Sequence, residues 1–335
     1  MITSIGFRSG GTDYFYYYNE FNSATVIPAN LADFPFYNIW MNFLIKMGVQ
    51  TFPSYILIMA ILCVTLTMIG IFNLSKYIGP YISFALGMYL IYPFGHESGQ
   101  LRTFIVDTII ICILPFLLKT SKSIKKQILN YCIYFAFMYI AGGIHSLAYF
   151  YIIIGIAYIL LKRVKRYREL YVFAATFIGC ILVKGPGISS LIMSLLNTNK
   201  QDHWLEGQAS FLSSSFGIIL TLLLWYLLRE LTDFAIKNTS QEIHKQFLKN
   251  LKIFVTLSLL MIPLFMYDIT FNRLWRIFLI ILYLLAGNYI FASKKISLRK
   301  IAFLVILIIL ISAIFIYEHE FTIINLLFQN SFLFR

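Results

Sequence analysis

Charge is what this chain has least of. Charged residues make up 12% of its 335 positions, about half the roughly 25% of a water-soluble domain. That excludes a soluble globular domain of ordinary composition. Acidic residues are the scarcer sign, 14 against 27 basic ones, for a net charge of +13. The basic residues stand in short clusters between apolar runs, not in a stripe with interleaved aromatics, so no nucleic acid is expected as a partner. The four cysteines, Cys63, Cys112, Cys132 and Cys180, each lie inside an apolar run with no C-x-x-C or Cys/His spacing. They read as buried, inert thiols and say nothing about redox compartment. No signal peptide or lipidation motif opens the chain. There is no Walker motif, no G-x-G-x-x-G after a strand, no H-E-x-x-H and no G-x-S-x-G elbow. No Asp-x-Asp or Glu-x-Asp pair is present in the loops to hold a metal diphosphate. Glu318-His319-Glu320 has no second ligand cluster and reads as an interfacial tail. No metal and no cofactor are therefore expected.

What is present is apolar. Hydrophobic residues make up 60% of the chain, in recurring runs of about 18 residues or more, each able to cross a bilayer. The expected fold is all-α, a polytopic transmembrane helix bundle of about ten spans. The spans are placed at 53–72, 77–94, 101–118, two within 128–161, then 170–183, 211–228, 253–267, 274–292 and 301–317. The stretch 128–161 is 34 residues, or about 51 Å as one helix, too long for one crossing. Its one polar break is Gly142-Gly143-Ile144-His145-Ser146, where it must fold back. Segment 1–52 is not membrane-spanning and carries a helix over 34–48, lying in the interface or entering it at a tilt. The bundle covers 53–317 with a long outer loop at 184–210, and 318–335 is a tail. The Tyr16-Tyr17-Tyr18 cluster has two readings: an aromatic belt at the membrane surface, or a surface on which sugar rings stack.

The loops give a direction. Nineteen of the 27 Lys and Arg fall at 76, 119–126, 162–168, 229–252 and 294–300, while ten of the 14 acidic residues fall on the other side. The positive-inside rule puts the basic loops in the cytoplasm, and both chain ends outside. An outward N-terminus with no span before it predicts a further helix upstream.

The outer edge then collects Arg8, Asp13, Glu97, Arg102, Asp107, His145, Asp268, Arg273 and Arg276. Ionisable groups at span ends face a cavity or a partner, or else snorkel to water. Guanidinium groups suit phosphate because their planar fork binds it bidentately and stays charged. His145 belongs to the residue type that exchanges protons near neutrality, although a turn histidine can simply bond a backbone carbonyl.

Several short pieces resemble one family. They are Gly6-Phe7-Arg8, Asp13-Tyr14 with Tyr18 and Phe21, Gln100-Leu101-Arg102, His145-Ser146 at the Gly-Gly break, and Asn272-Arg273-Leu274-Trp275-Arg276. In this order, over nearly the whole chain, they resemble the EpsG-type branch of the Wzy polysaccharide polymerases. The resemblance implies a multi-pass protein of the bacterial plasma membrane and a metal-independent, inverting glycosyl transfer at its outer face. The implied substrate is an undecaprenyl-diphosphate-linked oligosaccharide, and the polymer an exopolysaccharide, capsule or O-antigen. His145 and Arg102 become the candidate catalytic residues. Arg8, Asp13, Tyr14, Arg273 and Arg276 become candidate substrate contacts. Beyond the lipid bilayer, a flippase and a chain-length regulator are the candidate protein partners. An O-antigen-ligase-like enzyme, a membrane acyltransferase and a flippase or transporter of the same lipid-linked sugars stay open as alternatives. No internal repeat supports the last.

Overall fold

The computed structural model describes residues 13–26, 32–164, 166–183, 211–266, 269–292 and 297–317. Among them every regular element is a helix. Two short helices come first, α1 (Tyr14–Ser23) and α2 (Pro35–Lys46). Then follow α3 (Phe52–Ile78), α4 (Ile82–Ile91), α5 (Phe94–Gly99), α6 (Leu101–Leu118), α7 (Ile124–Gly142), α8 (Leu147–Arg163) and α9 (Arg168–Val183). The second half holds α10 (Phe211–Asn238), α11 (Glu242–Thr256), a 3-10 turn at Leu257–Met261, and α12 (Ile262–Phe265). A second 3-10 turn, Ile269–Leu274, leads into α13 (Trp275–Phe291), and α14 (Leu298–Tyr317) follows.

Six of these segments are long and apolar enough to cross a membrane: Phe52–Ile78, Leu101–Leu118, Ser214–Asn238, Glu242–Phe265, Phe271–Phe291 and Leu298–Ile316. This is fewer than the ten expected. The other expected spans are helical but shorter or more polar: 19 residues in α7, 17 in α8 and 16 in α9.

The expected span at 77–94 is not one helix. α4 has 10 residues, about 15 Å of rise, half a hydrocarbon core. It stops at Tyr92, whose backbone is extended (φ −159°, ψ 135°). Pro93 accounts for the stop, since the residue before a proline is driven out of the helical region and proline has no N–H to give. The chain resumes as α5, and Tyr92 to Glu97 are all buried. Backbone freed by such a break is tolerated at depth when protein covers it. The Tyr283 hydroxyl supplies part of that cover, donating to the Tyr92 carbonyl at 3.0 Å.

α6, the long α11–α12 segment and α13 form the centre, each with 78% of its apolar window buried, whereas α14 is peripheral at 22%. α3 lies close against α6 at Gly70, where a Cβ would strike the Ile111 side chain. The approach is tied by Thr67 and Thr108, whose hydroxyls lie 3.1 Å apart, and by the Cys112 thiol on the Leu66 carbonyl, also 3.1 Å. Small residues and interhelical hydroxyl bonds are how helices associate where water gives no hydrophobic push. Apolar side chains such as Ile69 and Phe72 on α3, Ile153 on α8, Phe177 on α9 and Ile309 on α14 form the exposed shell.

The expected basic loops converge on one end. Tyr77 stacks on Phe247 at 4.4 Å, and Lys119 lies over the Tyr77 ring at 5.1 Å. Asn250 donates to the Leu118 carbonyl and to Thr120, which also accepts from Lys162. Lys252 pairs with Asp233, and Arg229 with Glu169. α1, α2, the Gly-Gly turn and the start of α6 meet one another at the other end.

Candidate functional site

The turn after α7 builds the site. Gly142 ends the helix, and the His145 N–H still reaches back to the Ala141 carbonyl at 2.9 Å. The Gly143 carbonyl accepts from the N–H groups of both Phe36 and Tyr37, at 3.0 and 3.3 Å. These are donors of the first turn of α2, which no intrahelical carbonyl can satisfy. A Cβ on Gly143 would fall inside the Phe36 ring contact. Glycine is therefore required for the docking of α2, and that docking sets Phe34 beside His145. The two rings stack at 6.0 Å between centroids, 11° from parallel.

Phe34 also contacts Arg102, whose guanidinium carbon stands 4.1 Å from the ring centroid. Tyr16, Tyr17 and Tyr37 complete an aromatic box around the same guanidinium, at 5.0, 5.6 and 5.9 Å. The Arg102 Nη1 donates to Glu20 Oε1 at 3.2 Å, an ion pair whose side chains are 12% and 22% exposed. Among the described residues no acceptor reaches the Arg102 Nε. Tyr16, Tyr17 and Glu20 sit on α1 at the one-turn spacing that puts them on one helix face. Burial pushes the Tyr16 and Tyr17 phenols up, against the lowering effect of the Arg102 charge, so both stay neutral.

His145 has a defined orientation. Its Nδ1 accepts the Leu147 N–H at 3.1 Å. The neutral ring must then carry its proton on Nε2. In this arrangement that nitrogen is a hydrogen-bond donor and not an acceptor.

A second cluster lies two residues back along the chain. Gln100 Oε1 accepts from Arg276 Nη2 at 2.8 Å. Arg276 is 1% exposed, so this candidate contact is buried, at the first turn of α13. Glu97 on α5 accepts from the Tyr89 hydroxyl and feels the Arg276 charge. Asp107 is fully buried one helical turn and a half below Arg102, within reach of the charges of Glu97, Arg276 and Arg273. Arg273 is half-buried in the 3-10 turn before α13, and its charge also reaches Tyr17. Asp13 sits at the N-terminus of α1, where its charge reaches Tyr17 and suits the helix dipole. Tyr14 packs edge-on against Phe52 at 5.1 Å and anchors α1 to α3. Arg8 and Asp268 lie outside the described residues.

The family model described as "EpsG family" matches residues 1–327, nearly the whole chain. The chain belongs to the EpsG family. No curated protein and no solved structure matches it. EpsG membership and the apolar helices make it a multi-pass membrane protein of polysaccharide biosynthesis.

Sequence reasoning about this EpsG chain missed Glu20, Phe34 and Tyr37. Glu20 stands 82 residues from its partner, and no local pattern links the two. Its spacing from Tyr16 and Tyr17 was the available signal, and only a helix over 14–23 gives that spacing meaning. Phe34 lies just before a proline and looks like any residue at a helix start.

Proposed function

We propose that the protein is a Wzy-like polymerase of lipid-linked oligosaccharide repeat units, acting at the outer face of the plasma membrane. The observation that carries this reading is the boxed guanidinium of Arg102, joined to His145 through Phe34 and paired with the carboxylate of Glu20. An arginine held flat among aromatic rings, with a replaceable carboxylate as counter-ion, suits a phosphate group at the depth of helix ends. The end opposite the basic loops is the outer one by the positive-inside rule. An outward site agrees with polymerisation of lipid-linked repeat units at that face.

The chemistry follows from these groups. A hydroxyl oxygen at the non-reducing end of the incoming repeat unit attacks the anomeric carbon of the growing chain. The bond from that carbon to the diphosphate oxygen breaks, and its electron pair leaves with the lipid diphosphate. Arg102 and Arg273 balance the charge that develops on the leaving group. The Nε2–H of His145 donates to an oxygen of either substrate. Glu20, displaced from Arg102 by the diphosphate, takes the proton of the attacking hydroxyl.

The test is the lipid-linked glycan pool of a strain lacking the gene. Accumulated single repeat units with no long polymer are expected. Polymer of normal length lacking only acetyl groups would make the protein an acyltransferase and overturn the reading.

A further inference from the structure

A slot of about 480 Å³ opens between α2, α3, α6 and α7. Trp40, Leu62, Ile109 and Ile140 are among the side chains that line it, together with Tyr37 and Ile144. The last two adjoin the candidate site, for Tyr37 is a wall of the Arg102 box and Ile144 precedes His145. Other lining residues form an open rim, Ile39, Phe43 and Ile140 being 50%, 49% and 43% exposed. On a membrane-embedded protein such a rim meets lipid.

The slot has almost nothing polar to offer. The Trp40 indole N–H is turned onto the Met59 sulfur at 3.0 Å. The Thr108 hydroxyl is turned onto Thr67 at 3.1 Å. A sugar ring would lose its water there without gaining hydrogen bonds, which leaves its buried hydroxyls unpaired. A hydrocarbon chain loses nothing. Its volume is within the roughly 300–1,000 Å³ of ordinary ligand sites. The geometry therefore joins an apolar channel to a cationic head site at Tyr37, which is the shape of an amphiphile with an anionic head.

We propose that this slot holds the polyprenyl chain of the lipid-linked substrate, running from the Arg102 box along α2 towards the lipid. The proposal rests on the polymerase reading for the identity of the head group. It adds where the tail lies, and it makes α2 a wall of the substrate site rather than a surface anchor.

The experiment uses the full chain in proteoliposomes and a long-chain polyprenyl diphosphate carrying a diazirine in mid-chain. After illumination, adducts are expected on the peptides holding Leu62, Ile109 and Ile140. Unlabelled polyprenyl diphosphate should suppress them and excess phosphatidylglycerol should not. Adducts spread over other helices, or suppressed equally by phosphatidylglycerol, overturn the proposal and leave a crevice for bulk lipid. Filling the slot is the second measurement, with Leu62→Trp on α3 and Ile109→Trp on α6 made separately. Each should raise KM for the long-chain donor at least about tenfold, roughly the loss of two buried methylenes, and leave a short-chain donor unchanged. An unaltered ratio between the two donors overturns it. A protein that labels in the slot but elongates no glycan sinks the polymerase reading alone. One that elongates and labels elsewhere sinks the slot alone.

Discussion

Replacing Arg102 is the sharpest perturbation the structure offers. Its guanidinium stands 4.1 Å over Phe34 and pairs with Glu20 at 3.2 Å, with only 12% of the side chain exposed. If a diphosphate takes the place of Glu20 there, removing the cation leaves a phosphate charge unpaired in a partly dry pocket. Truncating one partner of such a pair costs about 2–5 kcal/mol, or roughly 30- to several-thousand-fold in rate. Arg102→Ala should therefore nearly abolish polymerisation. Arg102→Lys keeps the charge but loses the planar face on Phe34 and the fork. The lost stacking alone is about 0.5–2 kcal/mol, or roughly 2- to 30-fold. The order wild type, then Lys, then Ala should appear in polymer yield and chain length, measured at matched amounts of protein in the membrane. A snorkelling anchor predicts otherwise, since lysine snorkels as well as arginine. Full activity in Arg102→Lys, together with depleted protein in Arg102→Ala, would refute the diphosphate assignment.

Four further outcomes are expected. His145→Asn can still accept the Leu147 N–H through its side-chain oxygen, so it should insert and melt like wild type, yet lose polymer for want of the Nε2–H; wild-type polymer would make His145 a turn residue only. Glu20→Gln is close to isosteric and should lower kcat about 10²- to 10⁴-fold without raising KM; tighter substrate binding with unchanged kcat would show Glu20 to be a competing anion and not a base. Gly143→Ala pushes a methyl into Phe36 and should cost about 1–3 kcal/mol of stability, seen as a lower melting temperature in detergent with activity falling alongside. A reporter active only in the cytoplasm should work when fused at Lys165 and stay silent after Arg335; the reverse would put Arg102 and His145 on the wrong side for this chemistry.

How far this was legible in the sequence depended on whether the cause was local. α6 runs over the 101–118 expected for it, because Gly99-Gln100 and Lys119 bound a run that is apolar apart from Arg102, Asp107 and two threonines. The fold-back at Gly142–Ser146 was equally readable, since a mostly apolar stretch of 34 residues has to turn where the glycines are. Hydropathy failed at α4 and α5 because it averages over Pro93 and counts the apolar residues without asking whether they continue one helix. The 3-10 turn Leu257–Met261 ahead of Pro263 is a similar case, a proline tightening the turn before it inside an apolar segment. The site was half legible. Arg102, His145 and Arg273 were picked out by type and position, and the fold brings Arg102 and His145 onto one phenylalanine. Arg276 was picked for the same reason, yet it is buried on Gln100. Where a long side chain points is decided by neighbours that no sequence window contains.

The setting of Arg102 argues for function over stability. An ion pair taken out of water seldom stabilises a fold, because the desolvation of both charges offsets their attraction, and apolar residues of like volume do as well or better. The same holds for a cation at a membrane edge, which reaches water most cheaply by extending along the interface. Arg102 does neither of the cheap things. It turns into a box of four rings and keeps one carboxylate as its counter-ion, on a helix, α1, that belongs to another part of the chain. Phe34, the nearest wall of the box, is held by α2, whose first N–H groups hang on the carbonyl of a glycine that must be glycine. Three separate segments are thus organised around a charge that contributes little to holding them together. Such an arrangement is explained when the carboxylate can be exchanged for a second anion. On the proposed function, the aromatic walls and the cation stay in place while Glu20 leaves, so the site is already built for a lipid phosphate.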